Sequence, residues 1–305
     1  MTRLCETLVE VLSEYDIVTP IHNEEGRVST LVGSVKSQTL HPRRWCIVDD
    51  HSTDKTVALL RDSIREMDYA VITYRDSTGP AGWANTGIVM QYGIDVLASI
   101  GERLPEYVAV VDADIVLNSD YFEKIIRVIE SATDHQKTAI ASGLLADVDE
   151  DCQGQKSQVQ ELKWRPRGAA RLYRYDFLRS VGGFPHCPSA DDALVIKASN
   201  RGFRFEVVSE AKGLHLRRTP NMNRDMSNFG ISSRVNGLDM LSVGLIFFSS
   251  IRRHGGESAL AFLQGYLSEP QYRGARQTDP EVYGYFRHAW MHTFQTLIKE
   301  KKPIK

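Results

Sequence analysis

Tyr107-Val108-Ala109-Val110-Val111-Asp112-Ala113-Asp114 is the stretch of the sequence that says most about the fold. Its first five residues are apolar and largely β-branched, which predicts a short buried strand. Asp112 and Asp114 follow at the strand end, where residues two apart point the same way in an extended chain. Because two buried like charges repel, a divalent cation between them would explain the pair. Taken alone, Asp-x-Asp favours the simpler interpretation, two acids at a solvated turn.

Strands and helices alternate around this stretch. Strands are predicted at residues 15–19, 45–48 and 70–74, and each is followed by a helical pattern, the first at residues 24–38. This order predicts an α/β fold with a mostly parallel, doubly wound sheet. Ligands bind outside the carboxyl ends of the strands in such sheets, so Asp49-Asp50 and the Asp112/Asp114 pair are expected on one rim.

The amino-acid composition is that of a globular protein, and the charge balance argues against a nucleic-acid partner. The 305 residues are 42% hydrophobic and 25% charged, and 37 Lys plus Arg nearly balance 39 Asp plus Glu, for a formal charge of −2. We therefore expect no nucleic-acid partner. The four cysteines have no close pairing and residues 1–15 lack a secretory pattern, so we expect a cytoplasmic protein.

The longest apolar run, residues 238–251, is shorter than the ~18 residues that a membrane span needs. It contains Asp239 and several serines, and Arg252, Arg253 and His254 follow it. We expect a buried helix. The basic flank leaves a second interpretation open, peripheral contact of residues 238–254 with the inner face of a membrane.

The pattern changes after about residue 135. Strands are predicted at residues 139–145, 168–175 and 203–209, with a helix at residues 191–201 that Gly202 ends. The polar segment 147–160 is either a lid or a surface insertion. Residues 221–305 are expected to form a mostly helical C-terminal extension with a basic, frayed tail.

Two clusters of polar residues follow the first two predicted strands. For Thr19-Pro20-Ile21-His22-Asn23-Glu24-Glu25, the simpler interpretation is a strand-to-helix turn in which Asn23 caps the next helix. Val48-Asp49-Asp50-His51-Ser52-Thr53-Asp54 holds more acids and hydroxyls than a helix cap requires. An acid at such a strand end can accept a hydrogen bond from a nucleobase.

The order and spacing of four motifs resemble family 2 glycosyltransferases of the GT-A fold. The motifs are Pro20-Ile21-His22-Asn23-Glu24, the Val48 to Asp54 cluster, Asp112-Ala113-Asp114, and Val181-Gly182-Gly183-Phe184 with Asp191-Asp192 after it. The resemblance covers roughly residues 15–217. It implies a GT-A domain over residues 1–220, with a nucleotide-binding half at about 15–115 and an acceptor half at about 116–220.

The resemblance also implies an activity. This is inverting transfer of a sugar from a UDP- or GDP-sugar to an acceptor hydroxyl, with Mn²⁺ or Mg²⁺ as the cofactor. The acceptor would be a glycan, a lipid-linked sugar or a small molecule, as in glycan, cell-envelope polysaccharide or glycolipid synthesis. The sugar, the base, the linkage and the oligomeric state stay open.

Donor-site roles follow from the same resemblance. Asp50 resembles the acid that contacts the nucleobase, and Asp112 the residue that binds the ribose or a metal-bound water. Arg75 either contacts the base or is a plain surface arginine. Asp114 resembles the direct metal ligand. The implied donor-binding residues are Pro20, Asn23, Glu24, Asp50, Arg75 and Asp112.

Later residues supply the remaining roles. Asp192 resembles the general base that takes the acceptor proton. Asp191 stands where the family usually has Glu, so its acceptor contact is left open. His215 is either a further metal ligand or a packed side chain. Trp164 and Arg167 are placed on the acceptor side, although a loop that packs its Trp on the core explains them equally.

Other classes of protein are weighed against this resemblance. A sugar-1-phosphate nucleotidyltransferase shares a related sheet, but usually has a Gly-rich, Arg-containing loop where this chain has Pro20-Ile21-His22-Asn23. A non-catalytic Mg²⁺-binding receiver domain would explain Asp49-Asp50 and leave the later acids unexplained. A donor-binding but inactive transferase is the third alternative.

Overall fold

The computed structural model describes residues 12–75, 86–100, 103–132, 137–147, 166–187, 189–216, 222–268 and 279–288. The strands are β1 (Tyr15–Ile21), β2 (Arg44–Asp49), β3 (Ala70–Tyr74), β4 (Tyr107–Val111), β5 (Ile115–Leu117), β6 (Thr138–Asp147), β7 (Ala170–Arg174) and β8 (Arg204–His215). The helices are α1 (Val28–Lys36), α2 (Thr56–Ser63), α3 (Thr86–Ser99), α4 (Tyr121–Ser131), α5 (Tyr175–Ser180), α6 (Ala190–Asn200), α7 (Met222–Val235), α8 (Met240–His254), α9 (Gly256–Leu267) and α10 (Pro280–Arg287).

The strands form one sheet in the order β3-β2-β1-β4-β7-β6-β8-β5. Strands β3, β2, β1 and β4 run parallel, with Ile21 opposite Asp49 and Val18 opposite Val110. This register brings the ends of β1, β2 and β4 to one rim, as the sequence predicts. Four of the seven described strand pairings are parallel, which confirms the mixed, mostly parallel α/β sheet.

Helices cover both faces of the sheet, so its strands are apolar on both sides. Residues of α1, α2 and α4 pack with Tyr107, Ala109 and Val111 of β4 in one core. Residues of α3 and α6 pack with Val108 and Val110 in the other. Successive side chains of β4 point to opposite faces of the sheet and so pack alternately into the two cores. For this reason the sequence of the strand is continuously apolar.

Some boundaries differ from the sequence prediction. Helix α1 begins at Val28 rather than near residue 24, because the preceding residues form a turn. Strand β8 continues to His215, well past the predicted end at residue 209. The short elements β5 and α5 were not predicted; β5 has only three residues, too few for a periodic pattern.

Helix α8 corrects the expectation of a buried helix at residues 238–251. Met240, Leu241 and Phe248 are 67%, 58% and 69% exposed, and with Ile251 they recur at helical spacing on one face. The opposite side buries Val243, so α8 is only half-covered. No described helix is long and apolar enough to cross a membrane. Peripheral contact through residues 238–254 stays a prediction.

Candidate active site

The loops after β1 and β2 are joined by hydrogen bonds. His22 Nδ1 donates to the backbone oxygen of Asp50 at 2.6 Å, and the Thr53 amide donates to Asn23 Oδ1 at 2.8 Å. The backbone N–H of Asn23 donates to Ser52 Oγ at 3.0 Å. The alternative interpretation of Asn23 as the cap of α1 is therefore wrong, since Arg27 stands at that position. Asn23 lies in the left-handed region (φ 53°), and its side chain holds the neighbouring loop.

Asp50 and Arg75 form a buried ion pair at the ends of β2 and β3. Asp50 Oδ1 accepts from Arg75 Nε at 2.9 Å and from Nη2 at 2.7 Å. Each residue is 6% exposed. The surface-arginine interpretation of Arg75 is therefore wrong. Pairing fixes the position of the Asp50 carboxylate, which its predicted contact with a nucleobase would require.

We expect Arg75→Gln to lower the free energy of unfolding by about 3 kcal/mol, because it leaves the Asp50 carboxylate buried without its cation. Urea denaturation measures the change. The double variant Asp50→Asn/Arg75→Gln should recover part of the loss. Arg61→Gln is the control, since Arg61 bonds Tyr74 at the exposed surface. Equal losses in Arg75→Gln and Arg61→Gln would contradict the structural role of the pair.

The acidic motif lies in a tight turn between β4 and β5. Asp112 follows β4 directly, and Ala113 and Asp114 form the turn, in which the Ile115 amide donates to the Asp112 oxygen at 3.3 Å. The extended geometry expected for Asp112 and Asp114 is therefore wrong. The two acids still interact: burial, and then the charge of Asp114, raise the pKa of Asp112 to about 7.

Asp114 and His215 meet because β5 and β8 pair with Ile115 opposite His215. His215 Nε2 lies 3.3 Å from Asp114 Oδ2, and its Nδ1 lies 3.0 Å from Asp147 Oδ1. Burial lowers the pKa of His215, but the hydrogen bond to Asp114 and the Asp114 charge outweigh it, so the net shift is upward. The sequence separation of 101 residues hides this pair from any local pattern.

The carboxylate oxygen of Asp114 and the imidazole nitrogen of His215 suit a divalent cation. A bound ligand would fill the remaining coordination positions of that cation. Carboxylate oxygen and imidazole nitrogen suit Mn²⁺, and Mg²⁺ commonly uses one or two carboxylates plus phosphate oxygens. Among the described residues, no group of three His, Cys, Asp or Glu side chains could hold a metal ion. Asp114 and His215 could supply two protein ligands to such a cation, with Asp112 close by.

Arg167 lies beside this pair. Its Nη2 contacts His215 Nδ1 at 2.9 Å and pairs with the Asp147 carboxylate, and its Nη1 donates to the Leu145 backbone oxygen at 3.1 Å. The guanidinium therefore adds positive charge next to Asp114. This arrangement suits the recognition of phosphate oxygens.

Arg171 is a site residue that the sequence analysis missed. It is 2% exposed on β7; its Nη1 donates to the Asp191 backbone oxygen at 2.8 Å, and its Nε donates to that of Pro166 at 3.0 Å. Its guanidinium also lies 3.4 Å from Asp191 Oδ2 and 3.8 Å from Asp192 Oδ1. An arginine within a predicted buried strand needs an acid partner, and that signal could have found it.

The first turn of α6 presents Asp191 and Asp192, as predicted for acids at a helix N-terminus. Ser189, just before the helix, has φ 61°. Gly168 lies against Asp191, because a Cβ on this glycine would be 2.3 Å from Asp191 Oδ2. Gly168, just before β7, and Arg171 on β7 thus hold Asp191 in place, and Asp192 is the next residue of the same helical turn.

Two cavities flank this turn. The first, about 370 Å³, is lined by Thr86, Gly87, Met90, Asp112, Arg167, Gly168, Ala169, Ser189, Ala190 and Asp191. The second, about 350 Å³, is lined by Ser189, Asp192, Val195, Ile196, Ser199, Asn200, Phe205, Phe229, Ser232, Ser233, Tyr285 and Phe286. Pro20, Asn23, Glu24, Asp50 and Arg75 are not among the described residues that line the first. Ser189 lines both cavities, whereas Asp191 lines the first and Asp192 lines the second.

Comparison with known families identifies the N-terminal part of the chain. Residues 16–143, which include Asp50, Asp112 and Asp114, match the model of glycosyl transferase family 2. The chain carries a family 2 glycosyltransferase domain of the GT-A fold. The glycosyltransferase assignment confirms the resemblance read from the motifs, and it sets aside the nucleotidyltransferase and receiver-domain alternatives. No curated protein matches the chain by sequence.

Solved structures share the glycosyltransferase fold at low identity. S. aureus TarS 1–349 in complex with UDP is 17% identical, with a TM-score of 0.53 over 86% of this chain and 74% of that one. The mannosyltransferase PcManGT from Pyrobaculum calidifontis, in complex with GDP-Man and Mn²⁺, is 13% identical, with a TM-score of 0.51 over 96% and 82%. GalNAc-T7 with UDP, GalNAc and Mn²⁺ is 13% identical, with a TM-score of 0.51 over 68% and 44%.

Several predictions on the glycosyltransferase fall outside the described residues. Trp164, most of the 147–160 segment and the basic tail of the C-terminal extension belong to this group. The structure therefore brings together Asp112, Asp114, His215 and Arg167, and separately Asp50 with Arg75.

Proposed function

We propose that the protein is a metal-dependent, inverting glycosyltransferase that moves a sugar from a UDP- or GDP-sugar to an acceptor hydroxyl. The observation that carries this proposal is the division of two acids between two cavities. Asp191 lines the first cavity together with Asp112, whereas Asp192 lines the second. A base between a donor cavity and an acceptor cavity is what a single displacement needs.

The first cavity is the proposed donor site. Asp50, held by Arg75, would contact the nucleobase, and Asp112 would bind the ribose or a metal-bound water. Asp114 and His215 would hold Mn²⁺ or Mg²⁺, which neutralises the charge that develops on a leaving diphosphate. Arg167, next to His215, would bind a phosphate oxygen. Pro20, Asn23 and Glu24 would continue the donor site beyond Asp50; none of these four residues is among the described residues that line the first cavity.

Asp192 is the proposed general base. It would accept the proton of the acceptor hydroxyl while that oxygen attacks the anomeric carbon. The bond between the anomeric carbon and the phosphate oxygen breaks, and the nucleoside diphosphate leaves with the electron pair. Since one displacement occurs from the face opposite the leaving group, the configuration inverts. Asp191, held by Arg171, lines the first cavity together with Arg167, so we assign both to the donor side rather than to the acceptor side suggested by the sequence.

Other features support a donor of this class and a reducing compartment. The related structures include TarS with UDP and with UDP-GlcNAc, and PcManGT with GDP-Man, so uridine and guanosine are the bases to test first. Cys46 is a buried free thiol, which fits a reducing compartment such as the cytoplasm. We further propose that residues 1–220 form the transferase domain and residues 221–305 its helical extension.

The test of this proposal is metal-dependent donor binding. We expect Mn²⁺ to tighten binding of UDP or GDP, and the matching nucleotide sugar, by about tenfold or more, because the cation joins Asp114 to the diphosphate. Asp114→Ala should lose that gain. A thermal-shift panel of nucleotide sugars selects the donor, since ligands that bind the native state raise its apparent stability. Isothermal titration calorimetry then gives the affinities.

The matched control is Asp62→Ala, which removes an exposed carboxylate from α2. It should bind the donor like the unmodified protein, with and without Mn²⁺. Equal nucleotide affinity with and without Mn²⁺ in the unmodified protein and in Asp114→Ala would contradict the metal assignment. Absence of nucleotide binding throughout the panel would contradict the donor assignment.

A further inference from the structure

The second cavity, defined above by its twelve lining residues, is apolar over most of its wall. It lies between α6, α7 and α10, with one residue from β8. Its volume of about 350 Å³ is within the usual range of small-molecule sites. The apolar part of the wall consists of Val195, Ile196, Phe205, Phe229, Tyr285 and Phe286. Aromatic side chains of this number favour a ligand with an apolar surface.

Few charged groups interrupt this wall. Among the twelve described residues that line the cavity, Asp192 alone carries a carboxylate. Ser233 also lines the cavity and is 2% exposed, and its hydroxyl has no hydrogen-bond partner within the described part of the chain. A buried hydroxyl without a partner is uncommon and costs stability, so its presence in a cavity wall points to a ligand that supplies the partner.

The helices around the cavity are fixed to each other. Ser189 Oγ and Ser232 Oγ are 3.0 Å apart and join the start of α6 to α7. Lys197, buried on α6, pairs with Asp279 at the start of α10 and donates to the Val181 backbone oxygen at 3.0 Å. Arg201 and Glu281 add a second pair at 3.3 Å. The cavity is therefore a preformed site.

We propose that the second cavity binds the acceptor, and that the acceptor carries an apolar group, aryl or alkyl, next to its reacting hydroxyl. The proposal rests on the proposed function, because it takes Asp192 as the base. The hydroxyl would lie at Asp192, where this cavity approaches the donor cavity through the shared Ser189. The apolar group would occupy the aromatic wall, and a polar atom of the acceptor would bond Ser233.

Binding of simple glycosides to the full chain tests this proposal. The probes are p-nitrophenyl, octyl and methyl pyranosides of glucose, galactose and mannose, titrated in the presence of UDP or GDP and Mn²⁺. We expect the p-nitrophenyl or the octyl series to bind at least about tenfold tighter than the methyl series, since an apolar group then leaves water. The better of the two series identifies the group as aryl or alkyl.

A cavity-filling variant locates the binding. Ser199 lines the cavity and is itself exposed, so Ser199→Phe should fill its rim and remove the advantage of the apolar probes. Ser63→Phe, at an exposed position at the end of α2, is the matched control. If Ser199→Phe does not fold by circular dichroism, Asn200→Trp replaces it, because Asn200 is also exposed and lines the cavity.

The outcomes separate this inference from the proposed function. Equal binding of the methyl and apolar series overturns the inference, as does an apolar preference that Ser199→Phe and Ser63→Phe both retain. Nucleotide binding is measured in the same samples without any glycoside, and its loss overturns the proposed function instead. Retained nucleotide binding with a lost apolar preference in Ser199→Phe alone supports both.

Discussion

Asp192→Asn is expected to lower kcat for sugar transfer by about 10²–10⁴-fold, the range usual for the loss of a general base. The amide has nearly the shape of the carboxylate but cannot take the acceptor proton. Asp192 lines the second cavity rather than the proposed donor cavity, so the affinity for the nucleotide should stay within about a factor of two. The variant therefore separates chemistry from donor binding.

Transfer is measured as nucleoside diphosphate release with the donor that the thermal-shift panel selects, and donor affinity by calorimetry. Asp62→Asn is the control, because it makes the same chemical change at an exposed site on α2. Undiminished turnover in Asp192→Asn would remove Asp192 from the mechanism. A large loss of donor affinity in the same variant would place Asp192 at the donor instead.

The rim of the sheet could be predicted from the sequence because parallel strands carry their carboxyl ends to one edge. Asp49-Asp50 and Asp112 follow short apolar runs, and the register of β1 with β2 and β4 places the ends of these strands together. The strand ends and the polar residues that follow them are thus encoded locally. The same argument does not supply the conformation of a turn, so Asp112 and Asp114 were expected in an extended chain and lie in a turn.

Other errors share a cause, which is contact between segments far apart in the chain. Asparagine often caps helices, but the Asn23 side chain accepts a hydrogen bond from the backbone amide of Thr53, thirty residues away. The apolar run at residues 238–251 has the composition of a buried helix, but composition does not say how much of its surface another element covers. Arg171 finds its partners in the first turn of α6, a helix that begins nineteen residues later in the chain.

Arg171→Met is expected to produce the largest loss of stability, about 3–5 kcal/mol, because it removes the partner of several buried polar groups. The substitution leaves the backbone oxygens of Pro166 and Asp191 without their donors. It also removes the guanidinium that lies 3.4 Å from Asp191 Oδ2 and 3.8 Å from Asp192 Oδ1. Urea unfolding measures the loss, and Arg179→Met, at an exposed position on α5, is the control.

Arg171→Lys separates charge from geometry, since lysine keeps the positive charge but lacks the planar fork. If Arg171 positions the first turn of α6, the lysine variant should recover part of the stability while kcat stays low and donor affinity stays near normal. A merely structural role would instead predict that kcat recovers in proportion to stability. Because Arg171 touches both Asp191 and Asp192, loss of its planar fork should disturb the boundary between the two cavities. The rate of sugar transfer should therefore fall more than the affinity for the donor or for the acceptor.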